Sequence, residues 1–191
     1  MEIRILMKKS CLFIFLFISF SAKSSESDVF EALQYGAGIY GSIYIHELGH
    51  AITAKYYGGY DIDIDVPRKD GGWLSGNTSY KLPKRTYESE RVTAVSGLVA
   101  TTLVSEVIIQ NDGLYKNPFA QSVLATSHVT NIRYVYKYYT NDSHAIGDLE
   151  QYARAGGYIH AFNALLVGYT IWSLKRMSDK SIPLFSVGFK F

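Results

Sequence analysis

Apolar stretches of helical length, broken by one short alternating stretch, organise this chain. Residues 29–57 read as a first helix: apolar and small positions recur through it, and Gly58-Gly59 closes it. Its first half carries Gly36, Ala37, Gly38 and Gly41. That density weakens an isolated helix but lets neighbouring helices approach closely. Residues 60–66 then alternate strictly, Ile62, Ile64 and Val66 on one face and Asp61, Asp63 and Asp65 on the other, as a half-exposed strand does. Lys69-Asp70-Gly71-Gly72 supplies a turn, and residues 73–80 return as a second strand, giving a hairpin over about 60–80. Residues 81–91 form a basic connector. Residues 92–110 contain no Lys or Arg and a single acidic residue, Glu106, over a length that can span a bilayer. The stretch 118–140 is mixed: its first half fits a helix, whereas Ile132, Tyr134, Tyr136 and Tyr138 alternate like a strand. Residues 141–147 read as a loop. Residues 158–174 read as a final apolar helix closed by Lys175-Arg176, and the tail alternates Phe185, Val187, Phe189 and Phe191 as an edge strand would. The expected fold class is mainly α: a compact bundle of apolar, membrane-embedded helices with a small β-hairpin after the first helix.

The N-terminus changes the picture by placing the protein. Arg4, Lys8 and Lys9 precede an apolar run at 12–20, and Ser19, Ser21 and Ala22 offer cleavage sites, so residues 1–22 read as a signal peptide or an N-terminal anchor. Residues 23–191 then form one domain. The single cysteine, Cys11, falls inside the signal segment, which leaves the mature chain no disulfide and no thiolate ligand. A net charge of +2 with mixed signs gives no nucleic-acid footprint. Sixteen tyrosines suit surfaces with one apolar and one wet side, such as a membrane interface. The expected location is a membrane, the inner membrane for a bacterial cell, with a periplasmic or envelope-associated protein as the alternative. Four basic residues between the first two apolar segments, Lys81, Lys84, Arg85 and Arg91, agree with a cytoplasmic connector.

The chemistry lies at His46-Glu47-Leu48-Gly49-His50. Residues four apart on a helix stack one turn above each other, so both imidazoles face the same way and can converge on one metal ion. Glu47, adjacent but not a ligand, is placed to take a proton from a water that the metal acidifies. His-Glu-x-x-His is the pattern of zinc peptidases. The aspartate run at 61–65 does not make a calcium loop: an EF-hand starting at Asp61 needs glycine sixth and glutamate twelfth, where Val66 and Gly72 stand.

His-Glu-Leu-Gly-His-Ala, the double-glycine stop, a hairpin, a charged connector and Ser96-Gly97-Leu98-Val99-Ala100 in an apolar segment follow in an order that resembles the site-2 protease family of intramembrane zinc metalloproteases. The resemblance covers about half the chain, from Ile45 to Asp148. It implies a membrane-associated hairpin, a small-residue motif opening the next helix, and an aspartate as third ligand roughly a hundred residues after the histidines, the place of Asp148. The chain departs from the family pattern at Ser96-Gly97-Leu98, where typical members carry Ala-Gly-Pro, and at Gly147-Asp148-Leu149, where they carry Leu-Asp-Gly. It reads as a divergent, compact member.

His46, His50 and Asp148 are thus the expected ligands of one Zn²⁺, with Glu47 as general base. Glu106 competes for the third position, because an acidic group inside an apolar segment is costly unless a metal or a partner explains it. Glu88 and Glu90 lie in a charged, solvated stretch. His128, His144 and His160 read as hydrogen-bonded or exposed histidines, with His144, close to Asp148 in sequence, the one that could instead orient that carboxylate from behind. The expected function is a zinc-dependent endopeptidase acting at or within the membrane on a peptide or membrane-protein substrate, in contact with lipid. In that reading residues 60–66 serve as the strand with which an unwound substrate pairs, or as a plain structural hairpin. The alternatives are a soluble or peripheral periplasmic zinc protease, and a non-enzymatic zinc-stabilised envelope protein.

Overall fold

In the computed structural model, which describes residues 28–68, 74–140 and 147–183, the chain is mainly helical. It runs α1 (Asp28–Tyr56), β1 (Tyr60–Asp65), β2 (Asn77–Lys81), α2 (Tyr87–Gln110), α3 (Pro118–Thr140), α4 (Asp148–Arg154) and α5 (Ile159–Asp179). The expected signal segment at 1–22, the turn at 69–72, His144 and the alternating tail from residue 184 onward lie outside the described residues.

Helix α1 packs along both α2 and α3. Its buried positions, among them Tyr35, Ser42, His46, His50 and Ala54, recur at three- and four-residue steps, as one face of a 3.6-residue helix requires. Small residues on that face bring the backbones together. A Cβ on Gly38 would stand 2.7 Å from the Ser122 Cβ and closer still to the Phe119 carbonyl oxygen. The same seam is stitched by polar contacts: Tyr35 donates to Gln121 at 2.6 Å, Ser122 donates to the Tyr35 carbonyl at 2.6 Å, and the Ser42 and Ser127 hydroxyls meet at 3.1 Å. Gly58, at φ 80°, ends the helix in the left-handed region that glycine enters without steric cost.

The hairpin is antiparallel, with Asp63 opposite Ser79, Ile64 opposite Thr78 and Asp65 opposite Asn77. Both strands lie against α1. Helix α2 begins at Tyr87, five residues before the expected start at 92. Thr86 caps it: its hydroxyl accepts from the Ser89 N–H at 3.1 Å while the Ser89 hydroxyl takes the Thr86 N–H at 3.0 Å.

Two expectations are corrected. Residues 132–138 continue α3 instead of forming a strand. Ile132, Tyr136 and Tyr139 are exposed, while Tyr134, Val135 and Tyr138 pack against Leu98 and Leu149, a division that helical geometry makes and strand alternation does not. Packing has overridden β propensity there. The last helix continues past Leu174 to Asp179, because Arg176 finds Glu106 at 2.8 Å and Met177 is buried with Ile108, Ile109 and Leu124.

Glycines 36 and 38 make opposite predictions. Gly38→Ala forces a Cβ into the α1–α3 seam and lowers stability by about 1–3 kcal/mol, the usual cost of overpacking. Gly36→Ala meets nothing within 4 Å and gains roughly 0.5–1 kcal/mol from helix propensity. Denaturant titration of the two variants side by side checks the sign of each.

Candidate metal centre

Helix α1 carries His46, Glu47 and His50, and each is more than nine-tenths buried. The two imidazoles present Nε2 atoms 3.2 Å apart. Asp148, the first residue of α4, brings its Oδ2 to 2.9 Å from His46 Nε2 and 3.3 Å from His50 Nε2. The three ligand atoms all lie within 4.8 Å of one another, a group that can hold a metal ion. Leu149 fixes that approach. It is buried among Leu98, Ile159 and Leu166, and it anchors α4 so that the preceding residue points back at α1.

The donor chemistry fits a divalent cation. The His50 Nδ1–H donates to the Thr93 carbonyl at 2.7 Å, which fixes the tautomer and leaves the Nε2 lone pair facing the centre. Burial by itself raises a carboxyl pKa. Hydrogen bonds from His46 and His50 outweigh it and hold Asp148 well below the usual carboxylate range, so this residue is an anion. Space is reserved as well. A Cβ on Gly97 would stand 2.6 Å from His50 Nε2 and 2.7 Å from His46 Nε2, so helix α2 passes the two nitrogens with its bare backbone. The small-residue motif around Gly97 signals this contact in the sequence.

Glu47 points into the same space under separate control. Thr78 on β2 donates its hydroxyl to the Glu47 carboxylate at 2.7 Å and lies 2.9 Å from the Glu47 carbonyl. Gly76, just before β2, packs so closely that a Cβ there would sit 2.6 Å from Glu47 Cγ. Tyr134 stacks on His46 with ring centroids 5.6 Å apart. These three residues escape sequence reasoning. A helical reading of 132–138 would have placed Tyr134 toward the core, whereas nothing local marks Thr78.

The other candidates are placed elsewhere. Glu106 is bound by Arg176 at 2.8 Å, accepts from Gln110, and lies 3.3 Å from the Tyr169 hydroxyl. An ion pair between helices, with Arg176 also over the Trp172 ring at 4.1 Å, explains this acid without a metal. Glu88 is exposed beside Tyr57, and Glu90 stands 3.9 Å from Arg85. His128 is buried against the Ser173 hydroxyl at 2.9 Å, and His160 meets the Tyr139 hydroxyl at the surface.

A cavity of about 670 Å³ opens beside His46 and Glu47. Leu74, Ser75 and Gly76 form part of its wall, and no residue of β1 does. The wall nearest Glu47 therefore belongs to the returning arm of the hairpin, not to residues 60–66. No protein-family model matches the chain, and no curated protein or solved structure matches it either.

Metal content separates the roles. Gly97→Ala and Asp148→Ala each reduce the metal bound per chain by at least about tenfold at limiting metal, the scale of losing a ligand or its space. Glu106→Ala keeps the metal and lowers the unfolding midpoint. Elemental analysis after dialysis, with thermal melts of the same samples, checks both statements.

Proposed function

We propose that the protein is a zinc-dependent endopeptidase acting at or within a membrane, a compact and divergent relative of the site-2 proteases it resembles. The observation that carries the reading is the convergence of His46, His50 and Asp148 beside a separately held Glu47, at the edge of a cavity. Two nitrogens and one carboxylate suit zinc and leave a coordination position for water or substrate. Zinc, when bound, supplies the charge that polarises a peptide carbonyl and makes water ionise near neutral pH.

The chain's own groups do the rest. Asp148 contributes negative charge, and the Thr93 carbonyl keeps His50 in the ligating tautomer. Glu47 takes a proton from the attacking water and returns it to the departing nitrogen. Thr78 holds the Glu47 carboxylate in register with the ligands and, as the sole described side chain donating to it in the structure, keeps one lone-pair direction free for that proton. The arm 74–76, leading into β2, offers the wall along which an unwound substrate segment lies.

The membrane part of the reading draws on α2. It is long and apolar enough to cross a bilayer, and its outward stripe, Val99, Leu103 and Val107, is 42–62% exposed. A water-facing stripe at that spacing would be polar. Half of its apolar window is buried within the fold, and the core helix of a soluble protein passes the same test of length and composition, which keeps a soluble or peripheral periplasmic enzyme as the second reading. Carbonate washing of membranes separates them: the integral protein stays in the pellet, whereas release into the wash would sink the intramembrane reading.

Glu47→Gln abolishes cleavage and leaves bound zinc within about twofold of the parent, because the glutamate acts on water and not on the metal. Loss of zinc together with activity would move Glu47 into a structural role and favour a non-enzymatic zinc-stabilised protein. Thr78→Val lowers kcat by about tenfold with KM nearly unchanged, the signature of a misdirected base. Steady-state kinetics on an internally quenched peptide checks the split.

A further inference from the structure

Among the described residues the cavity beside Glu47 is lined by four cationic side chains, Arg68, Arg133, Lys137 and Arg154, and two anionic ones, Glu47 and Glu150. Arg154 is taken up by Glu150 at 3.0 Å. Arg133 and Lys137 stand one turn apart on α3, so their side chains leave the same face. Among the described residues neither forms an ion pair. Their positions on α3 lie within one turn of Tyr134, whose ring stacks on His46, and both side chains line the same cavity as His46 and Glu47.

On the cavity wall Arg133 is exposed and Lys137 half-buried, beside the partly apolar side chains of Leu74, Tyr138 and Leu149. A carboxylate on a bound peptide is attracted to that pair, most strongly where the walls exclude water from between them. The Arg133 guanidinium offers a planar pair of donors matched to a carboxylate, and Lys137 adds a point charge one turn away. Glu47 and this pair line the same cavity, so a peptide lying in it can present its cut bond to the one and a carboxylate a few residues away to the other.

We propose that Arg133 and Lys137 form a carboxylate-selecting subsite, so that the enzyme takes peptides carrying an acidic side chain, or their own C-terminus, a few residues from the cut bond. The inference rests on the protease reading for its consequence in turnover, but not for the binding itself.

Two arms test it on the full chain in detergent. In the first, fluorescein-labelled ten-residue peptides are titrated into the Glu47→Gln protein and read by anisotropy. They are a peptide with glutamates flanking its centre, its glutamine twin, and each of these as free acid and as C-terminal amide. The charged peptide should bind about tenfold tighter than its neutral twin, the scale of one hydrogen bond between charged groups. A Glu-over-Gln difference assigns the side-chain source, and an acid-over-amide difference assigns the C-terminus. Arg133→Gln with Lys137→Gln should bring either ratio close to one. Equal binding of all four peptides by the parent overturns the subsite, with no variant needed. In the second arm, quenched versions of the same peptides are incubated with the zinc-loaded protein. Cleavage without any charge preference sinks the subsite and leaves the protease reading standing. A binding preference with no cleavage of any peptide keeps the subsite and removes the protease reading.

Discussion

A carboxylate buried between two imidazoles has to be balanced by positive charge, and much of this structure is arranged around that requirement. Asp148 stands 2.9 and 3.3 Å from the two Nε2 atoms. Burial alone would lower the His50 pKa, but its hydrogen bond and charge contact with Asp148 outweigh that and raise it to about 9, so this imidazole carries balancing charge, which a divalent cation would supply instead when bound. For the three groups to meet at all, α2 must pass without a side chain at Gly97, and α4 must be tied down by Leu149. Neither feature donates an atom to the centre, yet the three groups would not meet without them.

Glu47 answers to a different part of the fold. Its neighbours on α1 set its height and direction, but the hydroxyl that holds its carboxylate arrives from the hairpin. The hairpin therefore has a specific duty in addition to closing the cavity. Its register places Thr78 opposite Ile64, so the face that is half-buried against α1 carries both the apolar contact and the hydrogen bond. A one-residue slip would turn Thr78 to the other face and release the Glu47 carboxylate.

The helices share an unusual division of polarity. Their contacts with one another are rich in serine and threonine, several of which satisfy themselves by donating to a carbonyl three or four residues back, as Thr101, Ser105, Ser127 and Thr170 do. Small hydroxyl side chains allow close helix approach, although the buried Thr93 and Thr102 hydroxyls of α2 find no partner among the described residues. The outward positions of α2 are instead aliphatic. The same division explains Glu106, which stays between helices because Arg176 reaches it from α5.

By itself the sequence determined what is local and periodic. His46, Glu47 and His50 lie within one helical turn and a quarter, so their relative geometry follows from the helix and could be read without a fold. The hairpin strand at 60–65 and the apolar helix ending at Gln110 were legible for the same reason, a period of two in one and a long uncharged run in the other. Asp148 was reachable only through a family resemblance, since a residue a hundred positions away has no periodic link to a helix it meets in space. The tertiary structure alone decided that Thr78 holds the Glu47 carboxylate, that Tyr134 lies on His46, that Glu106 belongs to Arg176, and that residues 132–138 stay helical. Each of these depends on which surfaces face each other. Local propensity, worth tenths of a kcal/mol per residue, yields to the burial of whole side chains, worth about 1.5–3 kcal/mol each.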